Sequence, residues 1–237
     1  MVETRHPPIL EALLDRGVGF AVVHAPREPL TRVAALIDET LGASFRHIGV
    51  FPAFPDWKPI GVNPELEDFR VGGTGFIPLH IDFVNASHPP DIVAFYCERE
   101  DMLGGGASIL ANKAATLAKL SEAIVEQLRE TEVHEGKFFA LRNLGVECNP
   151  FPLLDNRFLR FTGKKLCDDG AFSGRDILLR VEEAAMQVAM RVTLRAGDVL
   201  LINQRECLHG RERLVRDTRD QVFLGRKLHQ RFYRMIE

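Results

Sequence analysis

The chain has few cysteines, no surplus of positive charge and no long apolar run. Its four cysteines are scattered among 237 residues without a C-x-x-C pair, so we interpret them as reduced thiols and not as a disulfide framework. The net charge of −3 gives no reason to expect a nucleic-acid partner. No segment approaches the roughly 18 apolar residues of a membrane span, and acidic residues interrupt the start of the chain, unlike in a signal peptide. These absences favour a cytoplasmic protein that binds neither nucleic acid nor membrane.

The spacing of apolar residues predicts one domain that is mostly β with supporting helices. The length of the chain fits a single domain over residues 1–237 better than two domains. Helical spacing at 8–16 and at 29–41, with a β-rich run between them, predicts helices and a strand within residues 1–45.

The rest of the chain is dominated by short apolar runs that are typical of strands. Strands and helices do not alternate regularly, which argues against a Rossmann or TIM-barrel architecture. We expect a jelly roll, that is, a double-stranded β-helix, as the core over residues 76–237, although periodicity alone also permits another β-sandwich. The predicted strands are 91–97, 107–112, 137–141, 157–162, 190–194, 198–203 and 221–233, and the predicted helices are 113–130 and 175–187.

Residues 46–79 are predicted to form a long, irregular loop. Phe51, Phe54 and Trp57 are interleaved there with proline and glycine. Long loops of this kind are often lids or binding loops. We therefore expect a lid over a functional site, with the alternative that the aromatic side chains simply pack on the core.

The sharpest local feature is a His-x-Asp triplet formed by His80 and Asp82. Because a strand alternates its side chains between two faces, both residues point the same way if the segment is extended. An imidazole nitrogen and a carboxylate oxygen are two thirds of the facial triad that binds non-haem iron(II). The triplet alone is also compatible with a strand-edge pair that binds no metal.

A second histidine further along the chain could complete the metal site. His209 follows the apolar run of AGDVLLINQRECLHGR and precedes Gly210, whose missing side chain allows a close approach of the backbone. On its own His209 could be a structural histidine. Together with His80 and Asp82, it is the natural third ligand.

Three segments together resemble the taurine dioxygenase and clavaminate synthase-like group of iron(II)/2-oxoglutarate oxygenases. They are LHIDFVNASHPPDIVAFYC, GGGASILAN and AGDVLLINQRECLHGR, and the resemblance extends from about Phe76 to the C-terminus. It implies a jelly-roll enzyme in which His80, Asp82 and His209 are catalytic and bind Fe(II), with 2-oxoglutarate and O2 as cosubstrates.

The resemblance also implies residues that bind the 2-oxoglutarate carboxylate. Ser108 stands where the family usually has a threonine after a glycine pair; the alternative is an ordinary serine between a turn and a strand. The family further has an arginine after the distal histidine, whose planar guanidinium suits a carboxylate. We choose Arg226, with Arg219 as the fallback. Arg226 departs from the family pattern because it lies further from His209, and because the next arginine, Arg231, follows five residues later and not four.

The implied reaction is an oxidation with succinate and carbon dioxide as co-products. Halogenases of this broad class lack the carboxylate ligand, whereas this chain retains Asp82. Hydroxylation or desaturation is therefore favoured over halogenation.

The substrate is expected to be a small polar metabolite, anionic or zwitterionic, such as an amino acid. Asn85, Arg160 and Arg231 are the candidate contacts. Arg160 and Arg231 could instead pair with internal acids or face solvent. The substrate could be free or tethered to a carrier protein, and the short chain suggests that a dimer contact could complete the pocket.

Two other functions stay open at this point. One is a cupin-type metal enzyme that does not use 2-oxoglutarate, although cupins more often have a histidine pair close in sequence. The other is a non-catalytic binding protein that retains the barrel without turnover.

Overall fold

The computed structural model of the chain describes residues 7–25, 27–63, 66, 71–84, 86–133, 151–164, 174–215 and 226–236. Its first elements are the helix α1 (Pro7–Leu14), the strand β1 (Phe20–His24) and the helix α2 (Leu30–Leu41). Helix α2 ends at Gly42, whose φ of 60° lies in the left-handed region that glycine adopts without steric cost. These elements lie close to the ranges that apolar spacing predicts for two helices and a strand.

Strands dominate the remaining described residues. They are β2 (Phe45–His47), β3 (Lys58–Ile60), β4 (Ile77–His80), β5 (Ile92–Arg99), β6 (Ser108–Asn112), β7 (Glu132–Val133), β8 (Phe151–Pro152), β9 (Met190–Val192), β10 (Asp198–Asn203), β11 (Cys207–Arg211) and β12 (Lys227–Met235). The helices among them are α3 (Lys113–Leu117), α4 (Glu122–Glu130) and α5 (Arg175–Val188).

Two antiparallel sheets carry most of these strands. The larger sheet has the order β1-β10-β5-β12-β2, and β3 also pairs with β12. The smaller sheet has the order β4-β11-β6-β9, and β7 pairs with β8 separately. The described part of the chain is thus mostly β with helices and antiparallel sheets, as the sequence predicts.

Apolar side chains form three clusters that separate the sheets and helices into layers. Side chains of α1 and α2 pack on one face of the larger sheet, and side chains of α5 pack on one face of the smaller sheet. A third cluster lies between the two sheets, with Val93 and Leu200 from the larger and Leu110 from the smaller. The alternation along β10, where Leu200 belongs to one cluster and Leu201 to another, is typical of a strand buried on both faces.

Some predicted elements differ from the observed ones. The predicted helix 113–130 is two helices, because the side chain of Ser121 accepts a hydrogen bond from the backbone N–H of Ile124 and starts α4 anew. Residues 157–162 contribute only isolated bridges to other segments. The predicted strand 137–141 lies outside the described residues. Within 46–79, β3 and most of β4 are regular, and the lid role stays a prediction.

Candidate functional site

The three residues of the predicted metal site lie together. His80 is the last residue of β4 and is the register partner of His209 in β11. Asp82 follows two residues after the strand ends, and potential ligand atoms of the three side chains all lie within 4.8 Å of one another. Gly210 allows this approach, since a Cβ atom there would lie 2.6 Å from the backbone oxygen of Ile77.

Both imidazole rings direct the same nitrogen toward the carboxylate. The Nε2 atoms of His80 and His209 lie 3.7 and 3.5 Å from the Asp82 oxygens. The Nδ1 atom of His80 is 2.8 Å from the carbonyl oxygen of Pro78. If Nδ1 carries the proton and donates it to that carbonyl, Nε2 keeps its lone pair for a metal ion.

The charges in this cluster also suit a metal ion. Burial, together with the positive charge of Lys164 and the neighbouring His209, lowers the pKa of His80 to about 4, so the ring is neutral near pH 7. Burial alone would raise the pKa of Asp82, but the two histidines hold it well below its usual range. Two imidazole nitrogens and one carboxylate form the donor set of the facial triad of non-haem iron(II) enzymes, and the residues present fit that ion.

Two glutamines that sequence reasoning missed hold Asp82 in position. The Gln230 side-chain amide donates a hydrogen bond of 2.9 Å to the Asp82 carboxylate. The Gln204 side-chain oxygen accepts one from the Asp82 backbone N–H and its amide donates to the carbonyl of Pro90. Phe83, directly after Asp82, has a φ of 56°, which few non-glycine residues adopt. The Asp82 carboxylate is therefore oriented by contacts on both its backbone and its side chain.

The predicted 2-oxoglutarate residues line the same cavity as His80, Asp82 and His209, the predicted metal cluster. Ser108 and Arg226 are both buried there, and the Arg226 guanidinium donates to the Gly106 carbonyl at 2.5 Å and to the Ser108 hydroxyl at 3.3 Å. A second arginine, Arg211, also lines the cavity and donates to the carbonyls of Gly73 and Gly75. Burial, and the positive charge of Arg226, lower the pKa of Arg211 to about 10. Positive charge is thus concentrated at this end of the cavity.

Strand β12 divides its side chains between the cavity and the opposite face of the larger sheet. Arg226, which precedes the strand, and then Leu228 and Gln230, line the cavity. Arg231 belongs to the alternate set: its guanidinium lies 3.4 Å from the Asp38 carboxylate of α2 and 5.7 Å from the ring centre of Trp57. Arg231 is therefore not among the cavity-lining residues. Gln230 could have been found from sequence, because it lies four residues after Arg226 and so shares its face.

Arg160, another predicted substrate contact, is not brought to the cavity by the contacts described for it. Arg160 is buried, forms an ion pair of 2.6 Å with Asp155 and donates to the carbonyls of Val84 and Ala86. It anchors the segment that follows Asp82, and its contact with substrate stays a prediction. Asn85 and Arg219 lie outside the described residues.

Comparison with known proteins identifies the architecture. No protein-family model matches the sequence, and no curated protein matches it. Solved structures match over most of the chain. An asparagine oxygenase with Fe(II), 3-hydroxyasparagine and succinate has a TM-score of 0.69 and 20% identity, covering 90% of this chain and 73% of that one. The non-haem iron oxygenase OrfP, with Fe and α-ketoglutaric acid, has a TM-score of 0.66 and 17% identity, covering 98% and 80%. PvcB, an Fe, α-ketoglutarate-dependent oxygenase, has a TM-score of 0.61 and 15% identity, covering 92% and 76%.

The chain has the fold of these iron oxygenases. The resemblance that the three sequence segments indicate is confirmed at the level of the fold. Among the described residues of this oxygenase fold, no helix is long and apolar enough to cross a membrane. Cys97 and Cys207 are buried free thiols, and burial raises the pKa of each.

Proposed function

We propose that the chain is a non-haem iron(II), 2-oxoglutarate-dependent oxygenase that hydroxylates, or desaturates, an amino acid or a related small metabolite. The observation that carries the proposal is the geometry of one cavity. Its lining combines the His80, Asp82 and His209 cluster with the Ser108 and Arg226 pair. A metal ion and a dicarboxylate could therefore be held side by side.

The residues of the cluster have distinct roles in this proposal. His80 and His209 would bind the ion through Nε2, and Asp82 would bind it through a carboxylate oxygen. Arg226 and Ser108 would hold the distal carboxylate of 2-oxoglutarate, since a buried guanidinium can donate two parallel hydrogen bonds to it. We further propose that the two sheets form the jelly-roll core expected from the sequence, with the cavity between them.

The protein supplies orientation and water exclusion, while iron(II) and 2-oxoglutarate supply the oxidising chemistry when bound. Phe95 and Ile202 line the cavity beside the metal cluster and exclude water from it. In this proposal Asp82 provides the carboxylate ligand that halogenases lack, which favours hydroxylation or desaturation over halogenation. An amino-acid substrate is supported by the solved structures of this fold that contain hydroxyasparagine or (3S)-hydroxy-L-Arg.

The other functions left open by the sequence are less well supported. A cupin-type enzyme without 2-oxoglutarate would have no need of the buried Arg226 and Ser108 pair beside the metal cluster. A non-catalytic protein would have no need of the oriented Asp82 carboxylate. Location in the cytoplasm and assembly into a dimer stay predictions.

The test is the visible spectrum of anaerobic protein with iron(II) and 2-oxoglutarate. We expect a weak charge-transfer band near about 500 nm, which requires both the ion and a chelating cosubstrate. The band should be lost in Asp82→Ala. The matched control Glu212→Gln changes a surface carboxylate that pairs with Arg191 and should retain the band. Bound iron without a band in the unmodified protein would refute the use of 2-oxoglutarate.

A further inference from the structure

Lys58 lies beside the metal cluster, on the strand next to Gln230. In the pairing of β3 with β12, Lys58 and Gln230 are register partners. Opposite residues of an antiparallel pair share one face of the sheet, and the Gln230 side chain reaches Asp82. Burial lowers the pKa of the Lys58 ammonium, while the Asp82 carboxylate acts in the opposite direction. The register thus places Lys58 on the same face of the sheet as the side chain that contacts Asp82.

An aromatic surface supports this ammonium. It lies 4.2 Å from the ring centre of Phe51, a distance at which a cation interacts with the face of a ring. Phe51 in turn packs against Phe83 and Phe232, with ring centres 5.7 and 6.2 Å apart. Phe83 is the residue directly after Asp82. Aromatic contacts therefore hold the lysine side chain next to the metal cluster.

Lys58 differs from Lys113 and Lys227 in having no carboxylate of the described residues within ion-pair distance. Lys113 lies 3.6 Å from Glu206, and Lys227 lies 2.8 Å from Glu98. Within the described ranges the Lys58 ammonium forms no ion pair, and it lies over the Phe51 ring. A half-buried cation that lies outside ion-pair distance of the described carboxylates favours an anionic ligand, because pairing would offset its desolvation.

The position of Lys58 separates this ligand from 2-oxoglutarate. Arg226 directly precedes β12, and Gln230 lies within the strand four residues later. A strand advances about 3.3 Å per residue. The backbone positions of Arg226 and of Gln230, the register partner of Lys58, are thus roughly 13 Å apart along the strand direction. The Arg226 end would hold the cosubstrate, and the Lys58 end is left for a second anionic molecule.

We propose that the Lys58 ammonium binds the carboxylate of an amino-acid substrate beside the metal cluster, with the Gln230 carboxamide next to it. The proposal rests on the proposed function, and it assigns the substrate carboxylate to a residue within 46–79. Phe51, Phe83 and Phe232 form the apolar surface against which the substrate would lie.

The experiment measures succinate release from 2-oxoglutarate in the presence of each of the twenty L-amino acids. The proteins are the unmodified chain, Lys58→Met, Lys58→Arg and the control Lys227→Met. Each is first checked for the anaerobic iron(II)–2-oxoglutarate band. For an amino acid that stimulates succinate release, its carboxamide is then compared, since the amide removes the negative charge and little else.

We expect the KM for the stimulating amino acid to rise about 10- to 100-fold in Lys58→Met, as expected when a hydrogen bond to a charged group is lost. The KM for 2-oxoglutarate should stay the same. Lys58→Arg should recover part of the loss, and Lys227→Met should leave both constants unchanged. The unmodified protein should prefer the acid over the carboxamide by a similar factor, which tests the proposal even if Lys58→Met does not fold.

Several results would overturn the proposal. Three of them require that the band remains. They are a KM for the amino acid in Lys58→Met equal to that of the unmodified protein, equal use of the acid and the carboxamide, and the absence of any stimulating amino acid. A rise in the KM for 2-oxoglutarate alone would assign Lys58 to the cosubstrate. Absence of the band in the unmodified protein would instead refute the proposed function.

Discussion

The assignment of Arg226 to the distal carboxylate of 2-oxoglutarate can be tested with a graded series of substitutions. Arg226→Met removes the charge and the N–H donors of the guanidinium. Arg226→Lys keeps the charge without the planar arrangement of donors, and Ser108→Ala removes one hydroxyl. Truncating one partner of a buried, hydrogen-bonded charge pair costs about 2–5 kcal/mol. At about 1.4 kcal/mol per tenfold change, a loss near 3 kcal/mol raises the half-saturating 2-oxoglutarate concentration about 100-fold or more.

The smaller changes have smaller expected effects. Ser108→Ala loses one neutral donor, worth about 1 kcal/mol or about fivefold, and Arg226→Lys should fall between the two. Arg226→Met should still fold, because burial lowers the pKa of Arg226 and so already opposes its charge in the folded protein. The assay is titration of the anaerobic charge-transfer band with 2-oxoglutarate, alongside thermal unfolding of each variant.

Arg211 provides the comparison that could refute this assignment. In Arg211 the Nε atom and both hydrogens of one Nη atom already donate to backbone carbonyls, whereas each Nη atom of Arg226 makes one bond and keeps a second hydrogen. Arg211→Met should therefore weaken 2-oxoglutarate binding less than Arg226→Met does. The control Arg191→Met removes an exposed guanidinium paired with Glu212 and should have no effect. A larger effect of Arg211→Met, or none of Arg226→Met, would show that the distal carboxylate binds elsewhere.

Two further predictions concern stability and the metal ligands. Burial raises the pKa of Glu182 to about 7, and its Oε2 atom has no hydrogen-bond partner. Because the folded pKa is raised, wild-type stability is full below about pH 4.5 and falls as the pH rises through 7. The total loss is below about 3 kcal/mol, since water screens this partly exposed carboxyl. Urea unfolding should therefore find Glu182→Gln equal to wild type at pH 4.5 and more stable at pH 8.5, with the exposed Glu183→Gln as control; a pH-independent difference would contradict this. Gly210→Ala would push a Cβ atom against the Ile77 carbonyl and should weaken iron(II) binding about 10- to 100-fold. In Gly61→Ala the added Cβ atom meets no atom within 4 Å, so this variant should bind iron(II) as tightly as the unmodified protein. Equal iron(II) affinity of the two variants would refute the close-approach argument.

The proximity of His80, Asp82 and His209 was largely predictable from sequence, because its signal is local. His80 and Asp82 are two residues apart, and the Gly after His209 marks the close strand pairing that the structure contains. The condition that the segment is extended through Asp82 holds only in part, because β4 ends at His80 and Asp82 is held by Gln204 and not by continued strand pairing. That contact joins residues 122 positions apart, and no periodicity contains it.

Contacts that depend on which face of a strand a residue occupies were predicted unevenly. Arg231 is a basic residue in the right strand, but it lies on the face that packs against α2. Gln230, which reaches Asp82, is uncharged and attracted no attention by type alone. The predicted helix 113–130 is divided in the structure because the Ser121 side chain starts a new helix, although the apolar spacing continues across it.

The alternation along β12 has a consequence for how this segment could change by insertion or deletion. Adding or removing one residue between Arg226 and Gln230 would exchange every later side chain between the two faces of the sheet. Arg231 would then face the cavity, and Gln230 would be buried against α2 in place of the ion pair with Asp38. A viable length change in this strand must therefore occur in steps of two, or be absorbed by a bulge such as the register shift between Lys227 and Leu228. When related chains are compared, it is therefore more informative whether the spacing between two arginines is an even or an odd number of residues than how long it is.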